Sequence, residues 1–169
     1  MWWVGVLRVH LSVSRKHAGY EFRDRPARAA INRNDILVTE DEDIRSIEGW
    51  DAVRRILAKI EAGEVEAAVS VVTLTEIYYI YLQEKRPDLS KTRTENLRNA
   101  LYLKKLEIGE EVAVRAGEFK GEYNVSTADA FIAASASMEG STIISDDPDF
   151  KRTSEVKAYT EKEFISYLE

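Results

Sequence analysis

"VEAAVSVVTLTEIYYIYLQEK", residues 65–85, decides the fold class. Its first six residues are small and β-branched, which reads as a short buried strand over 65–70. Ser70 is a good helix N-cap, and beyond it the run over 71–85 reads as an apolar helix that must end before Pro87. A strand running straight into a helix is the repeating unit of an α/β fold. Within residues 71–82 there is one charge, Glu76. A carboxylate in such surroundings is costly unless it is paired, neutralised or bound to a metal.

Outward from that stretch, the same alternation recurs. "DAVRRILAKIEAG" (51–63) places Val53, Ile56, Leu57 and Ile60 at helical spacing, with Asp51 as N-cap and Gly63 as the stop. Helices are predicted over 90–105, over 110–124 ("EEVAVRAGEFKGEYN") and over 127–139, where Ala133 to Ser137 form a small-residue face. "STIIS" (141–145) and "VKAYT" (156–160) read as strands, and Thr160 with Glu163 makes a capping box opening "EKEFISYLE". "INRNDILV" (31–38) ends in an apolar run that suits a strand, and Val4, Val6, Arg8, His10 and Ser12 alternate in a way that suits another. The expected fold is α/β with a largely parallel sheet.

Composition narrows the chemistry. The chain has 169 residues, 44% of them hydrophobic and 32% charged, which fits one ordinary globular domain. It has no cysteine, so disulfides, thiolate catalysis and cysteine metal sites are excluded, and its two histidines, His10 and His17, share one N-terminal stretch. Catalysis therefore falls to carboxylates. Residues 1–34 hold seven Lys/Arg against two acids, whereas the whole chain is at −6, so the remainder stands at −11 and repels polyanions unless a cation or a basic patch intervenes. The opening apolar stretch is broken by Arg8 and His10, too short to span a bilayer and unlike a secretory signal. A cytoplasmic protein is expected.

Three acidic sites share one topological address. Glu76 lies beyond the strand at 65–70, Asp129 begins the helix at 127–139, and Asp146, Asp147 and Asp149 lie just beyond the strand at 141–145. In parallel α/β sheets the ligand crevice lies at the carboxyl ends of the strands. Carboxylates gathered there repel unless a cation joins them, and Mg2+ or Mn2+ suits oxygen donors and phosphate chemistry. The plainer alternative is local: Thr73 with Glu76 and Ser126 with Asp129 both fit a capping box, and "DDPDF" fits a solvated turn.

"VSVVTLTEIYY", "STADAFIAASA" and "STIISDDPDF" resemble, in order and spacing, the second, third and fourth acidic motifs of PIN-domain ribonucleases, above all the VapC-like toxins of toxin–antitoxin pairs. The resemblance spans about residues 36–169, with A-D-A-x-I-A-A at 128–134 its most specific part. It implies a three-layer α/β/α PIN-like fold with a largely parallel central sheet and Mg2+- or Mn2+-dependent cleavage of RNA. Carried over by motif, Glu76, Asp129 and Asp147 are the catalytic metal ligands, with Asp149 in the acidic cluster and Ser145 as the supporting hydroxyl. One departure stands out. Where the family opens on a strand ending in aspartate, "INRNDIL" offers Asn32, or Asp35 in a shifted register. Residues 1–34 differ in character from the domain at 35–169 and are read as an extension or a misassigned start.

Residues 85–105 carry a net +5 and could hold RNA phosphates through Arg93, Arg98 and Lys104, or be an ordinary solvated helix face. Tyr78, Tyr79 and Tyr81 are candidates for stacking a base or for packing. The resemblance also implies a homodimer and a cognate antitoxin; that no membrane partner is expected follows instead from the broken apolar stretch at the start. Three functions are compatible with these residues: a metal-dependent ribonuclease acting as a toxin; a PIN-like module that binds RNA or protein without cleaving, favoured by Asn32; and a phosphotransferring hydrolase using an aspartate of "SDDPDF".

Overall fold

The computed structural model describes residues 11–14, 50–145 and 147–168. Along the chain these form β1 (Leu11–Ser14), α1 (Trp50–Glu61), β2 (Glu66–Ser70), α2 (Val72–Gln83), α3 (Pro87–Asn99), β3 (Leu103–Leu106), α4 (Glu110–Tyr123), α5 (Thr127–Met138), β4 (Thr142–Ile144), α6 (Pro148–Arg152), β5 (Ala158–Tyr159) and α7 (Glu161–Leu168). The strands form one sheet in the order β3-β2-β1-β4-β5. β2 pairs parallel with β3, and β4 with β5, while β1 runs antiparallel to both its neighbours. Four strands therefore point the same way, and the sheet is largely parallel as expected. The carboxyl ends of β2 and β4 lie along one edge, on either side of the start of β1, where Leu11 stands opposite Ile144.

Side chains alternate across a strand, and Ile143 and Ile144 of β4 accordingly enter two different cores. Ile144 joins Val69, Ile56, Ile77, Leu97 and Phe164 on one face of the sheet. Ile143 joins Phe119, Ala133, Ala134 and Phe150 on the other. Helices thus cover both faces, which makes the architecture a three-layer α/β/α sandwich. Burial on both sides is also why Ala67 to Ser70 of β2 are all buried and show no apolar–polar alternation.

Several local expectations shift. Asp51 sits inside the first turn of α1 rather than capping it. Gly63 does stop the helix, at a φ of +74° that other residues rarely adopt. The cap of α2 is Val71, with no side-chain hydrogen bond, and Ser70 Oγ instead accepts from Val72 N–H at 3.4 Å. Pro87 opens α3 as its first residue, which spares a hydrogen bond the helix start lacks anyway. The predicted helix at 90–105 is corrected at its end: α3 stops at Asn99, and Leu103–Leu106 form β3, the edge strand beside β2.

The capping box at 160–163 forms in both directions, with Glu163 N–H donating to Thr160 Oγ1 at 3.2 Å and Thr160 N–H to Glu163 Oε2 at 2.7 Å. α7 carries Phe164 and Ile165 into the core, so its start matters to the whole domain. Thr160→Ala should lower stability by about 1 kcal/mol in urea unfolding. An unchanged midpoint and slope would show that α7 holds by packing alone.

Candidate active site

Both strands that reach the site edge end in the same turn. As the last residue of β2, Ser70 accepts a backbone N–H two residues on through its hydroxyl; just beyond β4, Ser145 does the same, with Asp147 N–H at 3.1 Å. Both serines are buried. Each turn sends the chain from the sheet into a helix and leaves an acid near that helix's start. This is local chemistry, since a serine hydroxyl competes well for a nearby N–H.

Glu76 lies in the second turn of α2. It is not in a capping box, because Thr73 lies inside the helix and makes no bond to it. Glu76 Oε2 is buried with no hydrogen-bond partner among the described residues. Burial, then the charges of Asp129 and Asp147, push its carboxyl from an ordinary 4.5 up to about 7. Acids 53 and 71 positions further along the chain therefore act on one carboxylate.

Asp129 sits in the first turn of α5, where its N–H donates to Ser126 Oγ at 3.1 Å. Here the capping alternative holds for the serine and the backbone, while the Asp129 carboxylate acts on Glu76. Asp147 caps α6, its Oδ1 accepting Asp149 N–H at 2.9 Å. Asp149 turns its own carboxylate to Arg152 at 2.7 Å. Among the described residues no three His, Asp or Glu side chains stand close enough to hold one ion. Asp129 and Asp147 act on Glu76 through their charge. Asn32, Asp35 and Asp146 lie outside the described residues.

The basic stretch is more occupied than its composition suggests. Arg98 pairs with Glu95 at 2.9 Å and Lys104 with Glu139 at 2.6 Å. Arg93 is half-buried on α3 and hydrogen-bonds Tyr81, a buried core residue. Lys105 is turned inward, donating to the carbonyls of Ala100 and Leu103, and its burial pulls its pKa down. Tyr78 and Tyr79 are exposed, as is Leu82.

A PIN domain profile matches residues 44–156, more than half of the chain and all three acidic sites. The chain belongs to the PIN domain family. PIN domains are in general metal-dependent nucleases that bind RNA, and the α/β/α layers of this one agree with the family's fold. No curated protein and no solved structure matches the chain. No helix among the described residues is long and apolar enough to cross a membrane.

The carboxylates of Glu76, Asp129 and Asp147 have the chemistry that suits a hard divalent cation. Their donor atoms are all oxygens, and the buried Glu76 Oε2, without a partner among the described residues, is an acceptor that a cation would satisfy. Sequence reasoning missed Thr73 as anything but a cap. Its signal was a hydroxyl one helical turn before the buried acid.

Proposed function

We propose that this PIN domain is a Mg2+- or Mn2+-dependent endoribonuclease and the toxin of a type II toxin–antitoxin pair. One observation carries the nuclease reading: a half-buried glutamate at the carboxyl edge of the sheet, one oxygen of which has no partner among the described residues, and on which two distant aspartates act. When bound, the cation supplies Lewis acidity toward a phosphoryl oxygen and toward water. Glu76, Asp129 and Asp147 are the residues to hold it. Ser145 fixes the backbone at Asp147, Asp149 N–H orients the Asp147 carboxylate, and Asn32 or Asp35 is the proposed first-motif residue.

Arg93, Arg98 and Lys104 are the proposed contacts to RNA phosphates. The exposed Tyr78, Tyr79 and Leu82 on α2 form an apolar face suited to a protein partner, either a second copy or the antitoxin. A non-cleaving PIN module that binds RNA or protein is favoured by a different observation, that the described acids do not gather within reach of one ion.

The test uses the full chain, stripped with EDTA, and a labelled single-stranded RNA. Cleavage should appear on titration with Mn2+ or Mg2+ and disappear with EDTA. RNA binding without cleavage at any concentration of either ion would establish the non-cleaving module instead.

A further inference from the structure

Two buried polar atoms of α2 lack a hydrogen-bond partner among the described residues, Thr73 Oγ1 and Glu76 Oε2. Thr73 is 0% exposed, in line with Ile77 and Tyr81 on the face of α2 turned to the core. Serine and threonine inside helices commonly return the hydroxyl to the carbonyl four residues back. Ser135 and Thr92 do so here, to Phe131 and Asp88 at 2.8 and 3.0 Å. Thr73 does not. A buried polar atom without a partner is destabilising, and α2 carries two of them three residues apart.

The two atoms are complementary. A hydroxyl donates, a carboxylate oxygen accepts, and residues three apart on a helix have Cβ atoms about 5–6 Å from each other. We propose that Thr73 is a positioning residue for Glu76, its hydroxyl donating to one carboxylate oxygen when the side chains draw together and so holding the other oxygen toward a divalent cation. This rests on the reading of Glu76 as a cation ligand. Hydroxyl donation favours the ionised carboxylate and fixes its rotamer, the two properties a ligand to a hard cation needs. Ser70 and Ser145 serve the backbone of their turns, while the Thr73 hydroxyl is bound to no backbone group among the described residues.

Calorimetric titration of the EDTA-stripped full chain with Mn2+ alone, in parallel with thermal melts, tests the assignment. Thr73→Val should weaken Mn2+ binding by about tenfold or more, while the ion-free melting temperature stays level or rises, since a methyl replaces a partnerless hydroxyl. Thr73→Ser, which keeps the donor, should bind as the parent chain does. Parent-like affinity in Thr73→Val overturns the role of Thr73 and leaves the cation site standing; no Mn2+ binding by the parent chain overturns both. If Thr73→Val fails to fold, Thr73→Ala replaces it: weaker binding than Thr73→Ser supports the proposal, and equal binding ends it.

Discussion

Asp129→Asn should reduce metal-dependent RNA cleavage about a thousandfold while the domain stays folded. The substitution keeps the shape of the side chain and leaves the Asp129 N–H bond to Ser126 Oγ in place, so the start of α5 is not disturbed. Its effect is to remove one negative charge at the proposed cation site. A loss of about 4 kcal/mol of transition-state stabilisation, ordinary for a metal-assisted phosphoryl reaction, corresponds to that factor. The same charge raises Glu76, so without it Glu76 ionises more easily and the ion-free protein should melt at the same temperature or higher. Activity and stability should therefore move in different directions. An inactive variant that also melts lower would point to damage at the helix start, and a fully active one would remove Asp129 from the site.

The strand–helix unit at 65–83 was legible because its signals are local. Small and β-branched residues, a serine and an unbroken apolar run specify a buried strand, a turn and a buried helix without reference to anything else. The placement of Glu76 and Asp147 was legible for a related reason: β2 and β4 run the same way and deliver their carboxyl ends to one edge, whereas Asp129 follows α4 and no strand end places it. β3 was not legible. "LYLKKL" has neither a period of two nor a clear period of 3.6, and no Gly or Pro separates it from α3. Pairing with β2 decides its conformation, burying Leu103 and Leu106 while Lys104 stays exposed. Tertiary context overrides local propensity at such an edge.

Side-chain pairing was the least legible layer. T-x-x-E before 77 and S-x-x-D before 130 look alike in sequence, yet Ser126 caps α5 and Thr73 is swallowed by α2. The difference is where each helix begins relative to its strand. β2 passes into α2 through Val71 alone, which carries Thr73 past the cap position, whereas the residues after α4 leave room for Ser126 to adopt the extended backbone of a cap. A single serine or threonine cannot report that offset. The same limit applies to the charges at 85–105, where composition counts cations but not the carboxylates and carbonyls that take up Arg98, Lys104 and Lys105.

Ion-free stability should fall as pH rises from about 4.5 through 7, and Glu76→Gln should flatten that slope. Glu76 has a folded-state pKa of about 7 against an ordinary 4.5. Between those values the folded chain holds a proton that the unfolded chain releases, so raising the pH favours unfolding. The shift corresponds to at most about 3 kcal/mol, and partial solvent access reduces this to about 1–2 kcal/mol. At pH 8 Glu76→Gln should therefore be more stable than the parent by about that amount, and near pH 5 the two should differ little. A bound divalent cation reverses the preference, because it favours the ionised carboxylate and need displace no proton at pH 8. Mn2+ should raise the melting temperature of the parent more at pH 8 than at pH 6, and do so weakly or not at all for Glu76→Gln. Urea unfolding across this range reads both effects; parallel pH profiles for the parent and Glu76→Gln would show that the carboxyl titrates as an ordinary exposed acid, with no repulsion for a cation to relieve.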